Sequence, residues 1–121
     1  MRRLLLLPVL LALAFIVVGC ASLSTPPAPT ADDRLLTLAT GIVTTQADYV
    51  ALSAANKVTP AEVTAWNAYV AGAKTALPAL TTQWRAVRSG PDAAARATVD
   101  GQLATLESRY VALRSVVDSK K

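Results

Sequence analysis

The sequence contains no histidine, one cysteine, one methionine, one phenylalanine and only two glutamates, Glu62 and Glu107. A lone cysteine cannot make a disulfide within the chain. Without histidine, and with one thiol, zinc sites built from Cys and His and cysteine-ligated iron–sulfur clusters are excluded. The commonest general base is missing, and with it nucleophile–base pairs of the Ser–His or Cys–His kind. The carboxylates are spaced as surface charges rather than as a pair for acid–base work. No catalytic residue, metal site or cofactor is expected, and the chain is not read as an enzyme.

Charge of one sign is also scarce. The formal net charge is +4, and Arg2 and Arg3 carry half of it, so the remainder of the chain is close to neutral. Nucleic-acid binding needs a clustered basic face, and nucleic acid is not an expected partner. The 121 residues make one domain at most. About 100 residues can bury roughly 60–65% of the unfolded surface, enough for a modest core without disulfide or metal staples.

What is present begins with Met1-Arg2-Arg3, a short positive segment, followed by an apolar run of fifteen residues from Leu4 to Val18, with Pro8 inside it. A membrane-spanning helix needs about 20 residues, so this run has the length of a signal-peptide core. It ends in Val17-Val18-Gly19-Cys20. That tetrad resembles the lipobox of bacterial lipoproteins. The resemblance implies that a diacylglyceryl group joins the Cys20 thiol and that signal peptidase II cuts between Gly19 and Cys20. Further acylation of the new amine would follow. Two or three acyl chains give stable membrane attachment where one is marginal. Residue 21 is Ala rather than the Asp that retains such proteins in the inner membrane, which implies the outer membrane, facing the periplasm. Residues 1–19 are thus expected to be a signal peptide. Residues 20–30, with three prolines among small polar residues, make a lipidated cysteine and an extended tether. At about 3 Å per residue this tether reaches up to roughly 30 Å.

From residue 31 the pattern turns helical, and 31–121 is expected to be one helical domain. Thr30 offers an N-cap, with Asp32 and Asp33 in the first turn. Leu35, Leu38, Ile42, Tyr49 and Leu52 then recur at helical period, flanked by Leu36, Val43 and Val50; Gly41 and Thr45 weaken the stripe. Thr59-Pro60-Ala61-Glu62 reads as a capping box with proline at the first helical position, and Val58 and Val63 are placed for a hydrophobic staple. Val63, Trp66, Val70, Ala73, Leu77, Leu80, Trp84 and Val87 follow at alternating three- and four-residue spacings. Pro78 falls beside that seam, which predicts one helix kinked near residues 74–78 rather than two helices. Ser89-Gly90-Pro91-Asp92 is the stop and restart, with Gly90 suited to a left-handed C-terminal position. Val99, Leu103, Leu106, Tyr110, Leu113 and Val117 form the third seam. Asp92, Arg96 and Asp100, and Arg114 and Asp118, are spaced for i,i+4 ion pairs.

Three helices of similar length, about 31–56, 60–88 and 91–118, joined by short links, predict an all-α, antiparallel up-down-up three-helix bundle. Exposed heptad positions leave room for a second copy to pack. Trp66 and Trp84, eighteen residues apart, share a face, and core packing accounts for both. Tyr69, beside the seam and part-exposed, is expected to form a partner-binding patch with Trp66 and Asn67; Arg85 and Arg88 are further partner-binding candidates, and with Arg96 they cluster around the second turn and suit an anion or a lipid headgroup. The expected partners are membrane lipid, through acylated Cys20, and an envelope protein. The closing Ser119-Lys120-Lys121 is similar to the C-terminal lysine by which murein lipoproteins attach to peptidoglycan. That likeness implies a tether through Lys121 as the alternative role. A looser similarity, in lipobox, size and prolines, is to the small lipoproteins of phage lysis cassettes.

Overall fold

A computed structural model of the chain describes residues 29–121, so the expected signal peptide (1–19), the lipobox-like tetrad and nearly all of the expected tether (20–30) lie outside the described residues. Three helices follow: α1 (Ala31–Ala54), α2 (Pro60–Val87) and α3 (Ala93–Ser119). Each packs against both others. Contacts between side chains set the directions. The start of α1 meets the end of α2, where Trp84 Nε1 donates to Asp32 Oδ2 at 3.0 Å. The start of α2 meets the end of α3, where Lys120 lies 3.4 Å from Glu62. α1 and α3 run the same way, with Thr45 beside Tyr110 and Asp48 beside Arg114. The architecture is the expected up-down-up bundle.

Local chemistry explains the helix ends. Thr30 and Asp33 form a full capping box, each side chain accepting from the other's backbone N–H at 3.2 Å. Thr59 and Glu62 form a second, with the Thr59 N–H donating to Glu62 Oε2 at 2.8 Å. That hydrogen bond, with Lys120 nearby, holds the Glu62 carboxyl below its ordinary pKa. α2 runs unbroken through Pro78. The ring's missing N–H costs one backbone bond, and the exposed side of the helix carries that loss.

Three boundaries differ from the sequence expectation. α1 stops at Ala54, because Asn56 adopts φ 55° and closes a Schellman motif. Its N–H donates to the Ser53 carbonyl at 3.1 Å, and the Lys57 N–H donates to the Leu52 carbonyl at 2.9 Å. α3 starts at Ala93 rather than at Pro91, since the Asp92 carboxylate accepts from the Ala95 N–H at 2.9 Å and so is the cap. Gly90 is not left-handed, for no glycine among the described residues has positive φ. The turn is closed instead by the Gly90 N–H donating to the Val87 carbonyl at 3.2 Å, and the Arg96 guanidinium bonds the Gly90 carbonyl.

The core is built from Leu35, Leu38, Ile42, Thr45, Tyr49 and Leu52 of α1, Trp66, Tyr69, Ala73 and Leu80 of α2, and Val99, Leu103 and Val117 of α3. On α2 two rows divide the work. Val70 and Leu77 face α1, while Ala76 and Leu80 face Leu106 of α3. Between α1 and α3 the apolar interior is interrupted by one polar cluster. Thr45, fully buried, shares a hydrogen bond with Tyr110 Oη at 3.0 Å and accepts from Arg114 at 3.1 Å, and Arg114 continues to Asp48 at 2.9 Å. Gly41 makes this approach possible, because a Cβ there would stand 2.7 Å from Tyr110 Oη. Glycine-to-alanine changes inside helices normally stabilise by up to about 1 kcal/mol. Gly72→Ala and Gly101→Ala, whose new methyl groups would meet nothing within 4 Å, should follow that rule. Gly41→Ala should reverse it, losing roughly 1–3 kcal/mol by overpacking. Urea midpoints of the three variants check the contrast in sign; a stabilised Gly41→Ala chain would refute the packing described.

Candidate functional site

The expected patch does not assemble as a patch. Tyr69 is buried rather than part-exposed. Its hydroxyl donates to the Leu106 carbonyl at 2.9 Å, and its ring stands 5.7 Å from that of Trp66. Burial raises its pKa to about 12. The heptad seam of α2 predicted Val70 as the deeper residue. In a three-helix bundle α2 has two neighbours, and the α3-facing row takes Tyr69 inside. Arg85 and Arg88 are exposed at the end of α2, with Arg88 3.4 Å from Asp32. Arg96 turns back onto the Gly90 carbonyl and leaves the expected trio. It makes no i,i+4 pair with Asp100, which pairs with Arg34 of α1 instead. Arg34 also donates through Nε to Glu107 at 3.0 Å, and its pKa is raised chiefly by that carboxylate. The Arg114–Asp118 pair forms at 3.2 Å. Lys121 lies 3.2 Å from Asp48, so the chain's last side chain rests on α1. Gly19 and Cys20 lie outside the described residues.

Trp66 is wholly buried and stacks on Tyr49, ring centroids 4.8 Å apart and planes 8° from parallel. Its indole N–H donates to Gln46 Oε1 at 2.6 Å. Trp84 is half-buried at the core edge. Trp66 lies at the floor of a shallow cleft with Gln46, Val50, Val63 and Asn67, and Trp84 does not share it.

What sequence reading did not assemble is a groove along the α1–α2 face, on the side away from α3. Its central part encloses about 930 Å³ between Ala39, Ile42 and Val43 of α1 and Val70, Lys74 and Leu77 of α2. It continues past Leu36 and Pro78 to Asp32 and Arg85 at one end, and past Gln46 and Asn67 to Val50 and Val63 at the other. The walls are mostly apolar. On its α1 rim stand Leu36, Val43 and Val50, exposed by 70, 72 and 59 %. They are seven residues apart, which keeps them in one row. That spacing was legible in the sequence; that α2 leaves the row uncovered was not. The second row also accounts for α1 being, by length and composition, apolar enough to cross a membrane, the one such helix among the described residues. A long apolar trough with few polar groups suits the side chains of a partner surface. Among the described residues no group of His, Cys, Asp and Glu is placed to hold a metal ion, and no buried side-chain nitrogen or oxygen lacks a hydrogen-bond partner. No family model matches the chain, and comparison with curated proteins and with solved structures finds no match.

Proposed function

We propose that this chain is a small lipid-anchored protein of the bacterial cell envelope that works by binding rather than by catalysis. The observation that carries the reading is the open apolar groove between α1 and α2, with its uncovered row of Leu36, Val43 and Val50. Exposed apolar rows cost solubility, and on a folded domain they mark contact surfaces. The lipobox-like Val17-Val18-Gly19-Cys20 supports attachment to the outer membrane, and the proline-rich segment supports reach from it. The bundle then serves as a rigid platform whose groove is the contact surface.

One experiment in two arms tests this. The full chain is expressed with a photo-reactive residue at Val43, and again with it at Val111, exposed on α3. Each is made with Cys20 intact and as Cys20→Ser. The expected result is a discrete crosslinked product from position 43 only, and loss of the chain from the membrane fraction in Cys20→Ser. Crosslinking that is equal at the two positions would refute binding through the groove. Membrane retention of Cys20→Ser would refute the lipid anchor.

A further inference from the structure

We infer that the α1–α2 groove is filled by the same face of a second copy of this chain, related by a two-fold axis parallel to the helices. The inference deepens the binding role and rests on it. Size complementarity comes first. The α1 rim carries large apolar side chains, Leu36, Val43 and Val50, whereas the α2 rim carries Pro78 beside Leu36 and Ala71 beside Val43, with the long, flexible Lys74 exposed between them. A two-fold axis along the bundle lays α1 of one copy over α2 of the other, large rows on small. A two-fold axis across the bundle would lay large on large and small on small.

Direction and charge agree with the first arrangement. α1 and α2 are antiparallel, so each α1 also runs antiparallel to the facing α2 of the second copy. The four helices then alternate around one shared core, the packing preferred in four-helix bundles. Asp32 and Asp33 open α1 at the level where Arg85 and Arg88 close α2. The same rotation carries Asp32, which also pairs with Arg88 of its own chain, toward Arg85 of the other copy. The area is sufficient. Two helices about 10 Å apart, the shorter one of 24 residues, offer a face of about 36 by 20 Å, or ~700 Å² per copy, near the ~800 Å² of a standard stable interface. This axis also puts both N-terminal ends at one end of the dimer, so that both tethers lead to one membrane surface.

The test uses full-length chains in their membranes, two copies with different tags. One copy carries Val43→Cys and the other Ala71→Cys; a second pair carries Leu36→Cys and Pro78→Cys. All four positions are exposed. Disulfides need Cβ atoms about 3.5–4.5 Å apart, so mild oxidation reads the register directly. The expected result is a mixed-tag dimer from each pair, at least about tenfold more abundant than the dimer either variant forms with itself, in chains with Cys20 and in Cys20→Ser chains alike. Preferred Val43→Cys self-dimers, no dimer from either pair, or a product containing a different protein would each overturn the proposal. Loss of the anchor is read separately, by fractionation, so the two readings fail independently.

Discussion

Trp66→Ala is expected to remove about 3–5 kcal/mol of stability, the cost of emptying a large aromatic site in a packed core. Trp66 is the largest side chain with no exposed surface, and it touches both flanking aromatics, Tyr49 by stacking and Tyr69 at a tilt. Those geometries add roughly 0.5–1.5 kcal/mol beyond area alone. The change also leaves Gln46 without its indole donor. Because domains of this size are stable by only about 5–15 kcal/mol, about a fifth or more of the total is at stake. The melting temperature should fall by about 15–30 °C. Trp84→Ala, at the half-buried edge, should cost markedly less. A Trp66→Ala chain that melts within a few degrees of the parent would show that the stack does not support the fold.

The second large effect is alkaline. Tyr69 titrates near pH 12 in the folded chain, raised first by burial and further by Tyr110 and Glu107 of α3, with Arg109 opposing. Unfolded, its phenol returns to about 10. The folded state therefore holds this proton more tightly. The corresponding stability is complete below pH 10 and is lost progressively as pH rises from 10 to 12. Two pKa units correspond to roughly 2–3 kcal/mol. Tyr49, also raised by burial, works in the same direction. Tyr69→Phe should cost about 0.5–1.5 kcal/mol at neutral pH, the net worth of the hydrogen bond to Leu106. It should also flatten the decline above pH 10. Urea midpoints of both chains from pH 9 to 12 check this; parallel curves would mean that the phenol is not protected by the fold.

A heterologous partner and a second copy make different demands on the same groove. A second copy must satisfy the face against itself, as the pairing of Leu36 with Pro78 and of Val43 with Ala71 would. Arg85 and Arg88, partner-binding candidates from the sequence, remain exposed beside the groove's end; Tyr69, expected in a separate patch with Trp66 and Asn67, is core.

Helices, their order and most of their ends were decided by the sequence itself, because those signals are local. Thr30 with Asp33, and Thr59 with Glu62, satisfy backbone donors three residues away, and period sorts Leu35, Leu38, Ile42, Tyr49 and Leu52 onto one side without knowledge of what covers it. Short links between three such helices then leave few arrangements. Tertiary structure alone decided which of two adjacent rows on α2 goes deeper, since that depends on having two neighbours at once. It also decided that Arg34 reaches across to Asp100 and Glu107, that Gly41 admits Tyr110, and that Thr45, polar in an apolar stripe, is buried with partners. Each of these joins residues more than sixty positions apart. The groove belongs to the same class: Leu36, Val43 and Val50 announce a second apolar row, but only the packing of α2 and α3 on the other side of α1 leaves that row in the open.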